Sequence, residues 1–240
     1  YDDRDGWIWL DGKMVPWRDA KIHVLTHSLH YGSCVFEGER AYEGVVFRSN
    51  DHSKRLHKSA ELVGYKCPVP VADLDKIKLE VMEKNGLADC YIRAFSWRGS
   101  EMMGVSAQQA SIRTCVAVWH WGNYFADKNK GIRVTMSDWK RPSPDTIPSA
   151  AKAAGLYMIC TMSKHKAEAE GFSDALMLDY RGYVAEATGA NVFFVKGDEI
   201  HTPTPDCFLD GITRRTIIGL AKANGYKVVE RHIKPEELCQ

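Results

Sequence analysis

Apolar residues along the chain first alternate with polar ones, then recur at helical spacing, then alternate again. Residues 7–10 and 13–17 read as strands on either side of Asp11-Gly12, a dipeptide suited to a tight hairpin turn. A second hairpin is expected from 35–42 to 45–48, turning at Glu43-Gly44. Leu56, Ala60 and Val63 share one face of a helix over 51–63, which Gly64 closes. Leu74, Ile77, Leu79 and Val81 are the apolar positions of a second helix over 72–84 that stops near Gly86. Two β-rich runs follow, 90–97 and 112–121. This order predicts an α+β lobe with helices on one face of a sheet.

Between Gly122 and Gly131 the sequence turns polar and loses its period, the signature of a linker. The chain thus divides into a smaller domain over 1–121, a linker over 122–131 and a second domain over 132–240. The second domain opens with a strand over 132–136 and a loop carrying Pro142, Pro144 and Pro148. A long helix over 150–170 follows, closed by Gly171. Hairpins are expected from 175–179 with 183–186 and from 191–195 with 199–202. A helix over 213–224 ends at Gly225, a strand covers 226–233, and Pro235 starts another helix. A domain seldom stops one turn into a helix, so further C-terminal residues are expected to belong to it.

The 240 residues carry a formal net charge of +1, with 45% hydrophobic and 26% charged positions. That balance fits a globular protein and lacks the basic excess of a phosphate-neutralising nucleic-acid binder. No stretch approaches the ~18 consecutive apolar residues of a membrane helix. Seven cysteines, with no CxxC pair among them, read as reduced thiols of a cytoplasmic protein. Neither Gly-x-Gly-x-x-Gly after a strand, Gly-Lys-Ser/Thr nor Gly-x-Ser-x-Gly occurs, which removes the common nucleotide and hydrolase motifs.

Four features suggest other chemistry. His23, His27 and His30 have the spacing of one helical face and form a candidate metal site, set against ordinary hydrogen-bonding roles. Lys152 stands among alanines in Ser-Ala-Ala-Lys-Ala-Ala-Gly, with room beside it for a flat ligand. Burial disfavours a lysine's charge, and a neutral amine attacks a carbonyl to give a Schiff base; the alternative is a solvated helix lysine. Glu186 lies in a stretch suited to an interior, so it needs a cationic partner: a protein Arg or Lys, or a protonated pyridine nitrogen. Leu209-Asp210-Gly211-Ile212-Thr213 runs straight into a helix, whose free N–H groups with the Thr213 hydroxyl form a candidate anion site; the alternative is Thr213 as a simple N-cap. Arg55 is a further phosphate ligand or a surface charge.

Amine, pyridine nitrogen and monophosphate are handles of one cofactor, pyridoxal 5′-phosphate. The runs Val24-Leu-Thr-His-Ser-Leu-His-Tyr-Gly, Val35-Phe-Glu-Gly-Glu-Arg-Ala-Tyr and Trp121-Gly-Asn-Tyr resemble the branched-chain amino acid aminotransferases. So do Thr146-Ile-Pro-Ser-Ala-Ala-Lys-Ala-Ala-Gly-Leu-Tyr, Gly182-Tyr-Val-Ala-Glu-Ala-Thr-Gly-Ala-Asn and Gly211-Ile-Thr-Arg, in family order. The resemblance implies the two-lobed fold of the fold-type IV pyridoxal-phosphate enzymes, with a smaller N-terminal lobe and the cofactor between the lobes. It implies transamination of leucine, isoleucine and valine with 2-oxoglutarate, in a homodimer or higher homo-oligomer.

By the same resemblance, Lys152 is the catalytic lysine that holds the cofactor, Glu186 pairs with the ring nitrogen, Tyr157 approaches the phenolic oxygen and Leu209 packs on the ring. Arg55, Ile212 and Thr213 hold the phosphate. Phe36, Tyr91, Arg93, Trp121 and Tyr124 form the substrate pocket, and Tyr31 reaches the neighbouring subunit's site. Glu39 departs from the family pattern, where an apolar residue is usual, and is expected near the pocket. A D-amino acid aminotransferase or an aminodeoxychorismate lyase of the same fold is the runner-up. A non-catalytic metal- or ligand-binding protein built on the three histidines is the reading of another class.

Overall fold

The computed structural model describes residues 1–122 and 130–239. The chain separates into two compact units: 1–124 with 151–155, and 125–150 with 156–240. Residues 151–155, which the pattern of the sequence assigns to the second domain, pack with the first unit.

The first unit is built on an antiparallel sheet. Its strands are β1 (Trp7–Leu10), β2 (Lys13–Pro16), β3 (Val35–Phe36), β4 (Glu39–Tyr42), β5 (Val45–Val46), β6 (Cys90–Arg98) and β7 (Ile112–Trp119). The order is β2-β1-β7-β6-β4-β5, with β3 also paired to β6. Asp11 and Glu43 turn the expected hairpins in left-handed conformations, φ 47° and 51°. Between the strands lie α1 (His27–Tyr31), α2 (Ser49–Leu62) and α3 (Val71–Lys84). Helices α2 and α3 present Leu56, Ala60, Leu74 and Val81, all fully buried, at the helical spacing read from the sequence. Ile8, Trp97, Cys115 and Ala117 make a second buried cluster. With apolar packing on both faces, the central strand β6 loses strict alternation and reads as a nearly continuous buried run.

The second unit contains two three-stranded sheets. In one, β8 (Val134–Met136) runs parallel to β9 (Asp174–Leu178), and β9 pairs antiparallel with β10 (Val184–Ala187). In the other, β11 (Phe194–Lys196) pairs antiparallel with β12 (Glu199–Pro203), and β12 runs parallel to β13 (Lys227–Arg231). Helix α4 (Met158–Ala169) lies against β9 and α5 (Ile212–Ala223) against β13.

The helix expected over 150–170 is shorter than its propensity suggests. Only Met158–Ala169 is α-helical, preceded by a 3-10 turn over Ala154–Leu156. The alanine-rich stretch around Lys152 instead pairs with β3: Ala153 bridges Val35, the Phe36 N–H donates to the Lys152 carbonyl at 3.0 Å, and the Ala154 N–H donates to the Cys34 carbonyl at 2.7 Å. Alanine favours a helix by only a few tenths of a kcal/mol per residue over its usual competitors. Backbone pairing to a buried strand outweighs that preference.

Candidate functional site

In the first unit, the backbone pairing that denies Lys152 a helix is what places its amine. The residue is tied to β3 through its carbonyl, and its N–H donates to Ser59 Oγ of α2 at 3.0 Å. Its Nζ then lies 4.9 Å from the centre of the Phe36 ring. Burial pushes the pKa of this amine below the usual lysine range; Glu37 opposes the shift and Arg55 adds to it. A solvated helix lysine is excluded.

Phe36 also carries the Arg93 guanidinium, 4.7 Å from its ring centre. Arg93 Nη2 donates to the Tyr91 hydroxyl at 2.8 Å, and the Tyr91 and Trp121 rings lie 5.0 Å apart. Arg40 fixes Trp121 by donating to its carbonyl at 2.9 Å. Gly38 admits this cluster: a Cβ there would stand 2.2 Å from the Tyr91 hydroxyl oxygen. Four expected substrate residues, Phe36, Tyr91, Arg93 and Trp121, thus form one aromatic and cationic group with Lys152. Tyr124 lies outside the described residues. Tyr31 is exposed on α1, stacked on His27, with its hydroxyl donating to the Met103 carbonyl at 3.2 Å.

Arg55 is not a surface charge. Its Nε and Nη2 donate to the two carboxylate oxygens of Glu37 at 2.8 and 2.6 Å, and His52 Nδ1 donates to the same group at 2.6 Å. Burial alone would raise the Glu37 pKa, but the bonds from Arg55 and His52 override it and hold the group down at about 2. Sequence reasoning assigned no role to Glu37 or His52. The available signal was a pair of acids, Glu37 and Glu39, two residues apart in the run Val35-Phe-Glu-Gly-Glu-Arg-Ala-Tyr.

Glu39 corrects an expectation. It is buried against α2 and α3, its carboxylate 2.8 Å from the fully buried Lys78 amine, which also donates to Ser53 Oγ. Its place beside Glu37 in the alternation turns it toward those helices, where Lys78 binds its carboxylate. The departure from the family pattern is a core ion pair.

In the second unit, Glu186 sits on β10 where the register with β9 shifts. A protein cation meets it: Arg141 Nε is 3.4 Å from Glu186 Oε1. Arg141 is itself buried and donates from Nη1 to the Leu156 carbonyl and to Cys160 Sγ, both at 3.3 Å. Asn191 Nδ2 donates to Glu186 Oε2 at 3.2 Å and to the Leu209 carbonyl at 3.1 Å, joining β10 to the loop before α5. Gly211 caps α5 in an extended conformation, and a Cβ there would stand 2.1 Å from Asn191 Oδ1. Ile212 is buried and Thr213 exposed in the first turn, with no side chain capping the helix. Tyr157 immediately precedes α4, half-buried like Leu209. Nothing local in the sequence marks Arg141, whereas Asn191 closes the run Gly182-Tyr-Val-Ala-Glu-Ala-Thr-Gly-Ala-Asn that carries Glu186.

The three histidines do not converge. His27 Nε2 bonds the Gly104 carbonyl at 3.0 Å, His30 Nε2 bonds the Val24 carbonyl at 2.9 Å, and His23 Nδ1 accepts from the Leu25 N–H at 3.1 Å. Among the described residues, the ligand-type atoms that do cluster belong to Asp179, Asp206 and Cys207, and Arg181 already bridges both carboxylates. The metal reading of the histidines falls.

The first unit thus offers an amine whose pKa is lowered and an arginine held in a fork, and the second a half-buried carboxylate and a helix start. That chemistry fits an aldehyde of a pyridine bearing a phosphate. Comparison with known proteins points the same way. Residues 34–240 match the family "Amino-transferase class IV". A "Probable branched-chain-amino-acid aminotransferase" of Rickettsia conorii is 44% identical over 232 residues, covering 96% of this chain and 79% of that one. The crystal structure of the Escherichia coli branched-chain amino acid aminotransferase superposes with a TM-score of 0.94 at 38% identity, covering 98% of this chain and 80% of its own. An aminotransferase from Brucella abortus, bound to the cofactor PLP, gives 0.87 at 30% identity, covering 99% of this chain and 85% of its own. With the matched region spanning most of its length and carrying the lysine, the carboxylate and the helix start described above, the chain belongs to the class IV aminotransferases.

Proposed function

We propose that this protein is a pyridoxal-phosphate-dependent aminotransferase that moves the amino group of leucine, isoleucine or valine to 2-oxoglutarate. The observation that carries the reading is the buried Lys152 amine, kept below the usual lysine pKa against Phe36 and beside the Tyr91–Arg93 pair. When bound, the cofactor supplies an electrophilic carbonyl and a ring that takes up electrons.

The chain's own residues do the rest. Lys152 Nζ, whose charged form burial disfavours, removes the proton from Cα of the amino acid and, in the second half-reaction, delivers one to Cα of the 2-oxo acid. Glu186, faced by Arg141 and bonded by Asn191, would hold a proton on the ring nitrogen. Tyr157 meets the phenolic oxygen and Leu209 packs on the ring. Arg55, the N–H groups at Ile212 and the Thr213 hydroxyl hold the phosphate. Phe36 and Trp121, with Tyr124, receive a branched apolar side chain; Tyr91 and Arg93 receive the second carboxylate of glutamate.

A homodimer completes the proposal. Ile22, Val24, Leu25, Leu29 and Tyr31 are all exposed within one short stretch, a concentration that suits a second copy and would carry Tyr31 into its site. A cytoplasmic location accords with the reduced thiols of Cys34, Cys67, Cys90, Cys115, Cys160 and Cys207. Among the described residues, no helix is long and apolar enough to cross a membrane.

A substrate panel on purified protein with pyridoxal phosphate tests the reading. L-leucine and 2-oxoglutarate should give glutamate, and Lys152→Ala should abolish both that activity and the cofactor's colour. Turnover of D-alanine with none of L-leucine would favour the D-amino acid enzyme instead.

A further inference from the structure

Resting on the reading of Arg55 as a phosphate ligand, we propose that Glu37 is the positioning residue of that subsite. Its buried carboxylate, braced by His52, fixes the plane of the Arg55 guanidinium so that it meets the cofactor phosphate without searching.

Arginine is a long side chain with several rotatable bonds, and a single contact leaves its head free to swing. Glu37 removes that freedom with two parallel bonds, to Nε and Nη2, the fork geometry that defines a guanidinium plane. The carboxylate is itself immobile. It has no exposed surface, its own N–H donates to the Ala94 carbonyl of β6 at 2.7 Å, and His52 donates to Oε2 from the preceding turn of α2. Arg55 therefore sits at the end of a rigid chain running from β6 through Glu37.

The position of this chain relative to the amine argues for more than packing. Glu37 follows Phe36, whose N–H bonds the Lys152 carbonyl, and Glu37 and Arg55 act on the Lys152 charge with opposite signs. Without the Glu37 charge, the Arg55 cation would bear more heavily on that buried amine. The ion pair of Glu39 with Lys78, two residues along, shows that this strand buries a charged pair without involving any site residue. Glu37 differs in that its partner is a site residue.

The test compares two ligands that share a ring and differ by the phosphate. Apoprotein is titrated with pyridoxal phosphate and with pyridoxal, followed by absorbance, for wild type, Glu37→Gln, Arg55→Ala and the double variant. Glu37→Gln is expected to weaken pyridoxal phosphate by about 10–100-fold, as loss of an outer-shell orienting group does at metal sites, and to leave pyridoxal within about twofold. In the Arg55→Ala background the same substitution should change neither, because its effect passes through Arg55. Equal weakening of both ligands, or full additivity with Arg55→Ala, would show a purely structural role and overturn the proposal. Unchanged pyridoxal phosphate affinity in Arg55→Ala would instead refute the phosphate reading of Arg55 itself. Should Glu37→Gln not fold, His52→Phe keeps a buried ring and removes the brace; it must show the same selective loss, in smaller measure, or the proposal fails.

Discussion

Each unit of this protein contains a buried arginine–carboxylate contact, and the two are built in opposite senses. In the first unit the carboxylate is the fixture: Glu37 is fully buried and holds Arg55, the group assigned to the ligand. In the second the cation is the fixture: Arg141 is buried and anchored by Leu156 and Cys160, and Glu186 is the group assigned to the ligand. The contacts differ accordingly. Glu37 and Arg55 form a close fork at 2.6 and 2.8 Å, whereas Arg141 approaches Glu186 at 3.4 Å. A tight fork fixes a plane, which suits a phosphate ligand. A looser approach supplies charge while leaving the carboxylate able to accept from another donor, which suits a partner for a ring nitrogen.

Removing the fixture of the second pair should have the largest effect. Arg141→Met takes a cation from the interior and deprives Glu186 of that counter-charge, a change that typically costs about 3–5 kcal/mol. Because Glu186 would then lose the cation that faces it, turnover of leucine should fall by roughly two orders of magnitude, in the range seen when a general acid–base group is lost. Melting temperature and turnover are measured together. Turnover at the wild-type level in Arg141→Met would show that Glu186 does not depend on the Arg141 cation, and the mirror between the two units would break.

The next effect separates Glu37 from its neighbour Glu39 by pH. Glu37 has its folded pKa at about 2, below the ordinary carboxylate value of 4.5, so between these values the unfolded chain binds more protons. Its contribution to stability is complete above pH 4.5 and is lost as pH falls toward 2, amounting to about 3 kcal/mol. Glu39 has the reverse sign. Burial pushes it up to about 8, against the pull of Lys78, so the folded chain binds more protons between 4.5 and 8 and this contribution declines as pH rises. Urea unfolding across pH 3 to 8 should show Glu37→Gln flattening the acid limb and Glu39→Gln flattening the decline toward pH 8. A shared limb for both variants would mean that the two carboxylates titrate as one group.

Much of this was legible in the chain. Hairpins at Asp11-Gly12 and Glu43-Gly44 and the helices carrying Leu56 and Leu74 follow from local turn chemistry and from periodicity, and the motifs around Lys152 and Glu186 drew attention to two groups that the proposed function uses. What failed to show was whatever depended on a partner distant in sequence. The stretch around Lys152 reads as helix because alanine prefers one, and only pairing with Val35, far earlier in the chain, makes it extended. Glu37 and Arg141 look like ordinary charges until the fold buries them beside Arg55 and Glu186. Glu39 misled for the same reason: its unusual identity is visible in sequence, but Lys78, the residue that explains it, lies on a helix with nothing local to mark it.

The smallest effect is expected where the comparison has its control. Glu39 and Lys78 form a pair as buried as Glu37 and Arg55, with Ser53 satisfying Lys78, yet Glu39 Oε1 has no hydrogen-bond partner among the described residues. With the Glu39 carboxyl pushed up to about 8, the pair gains little Coulomb energy at neutral pH to offset the hydration both groups lose, and apolar residues of similar volume often replace such a pair at no cost or with a gain of about 1–4 kcal/mol. The double variant Glu39→Leu/Lys78→Met should therefore melt at or above the wild-type temperature and keep its turnover of leucine and its affinity for pyridoxal phosphate. The single variant Lys78→Met should be the less stable of the two, since it strands the carboxylate. If the double variant instead lost cofactor affinity as Glu37→Gln is expected to, burial of a charged pair on this strand would by itself account for the effect at Glu37, and the distinction between a pair that serves the site and one that merely fills the core would collapse.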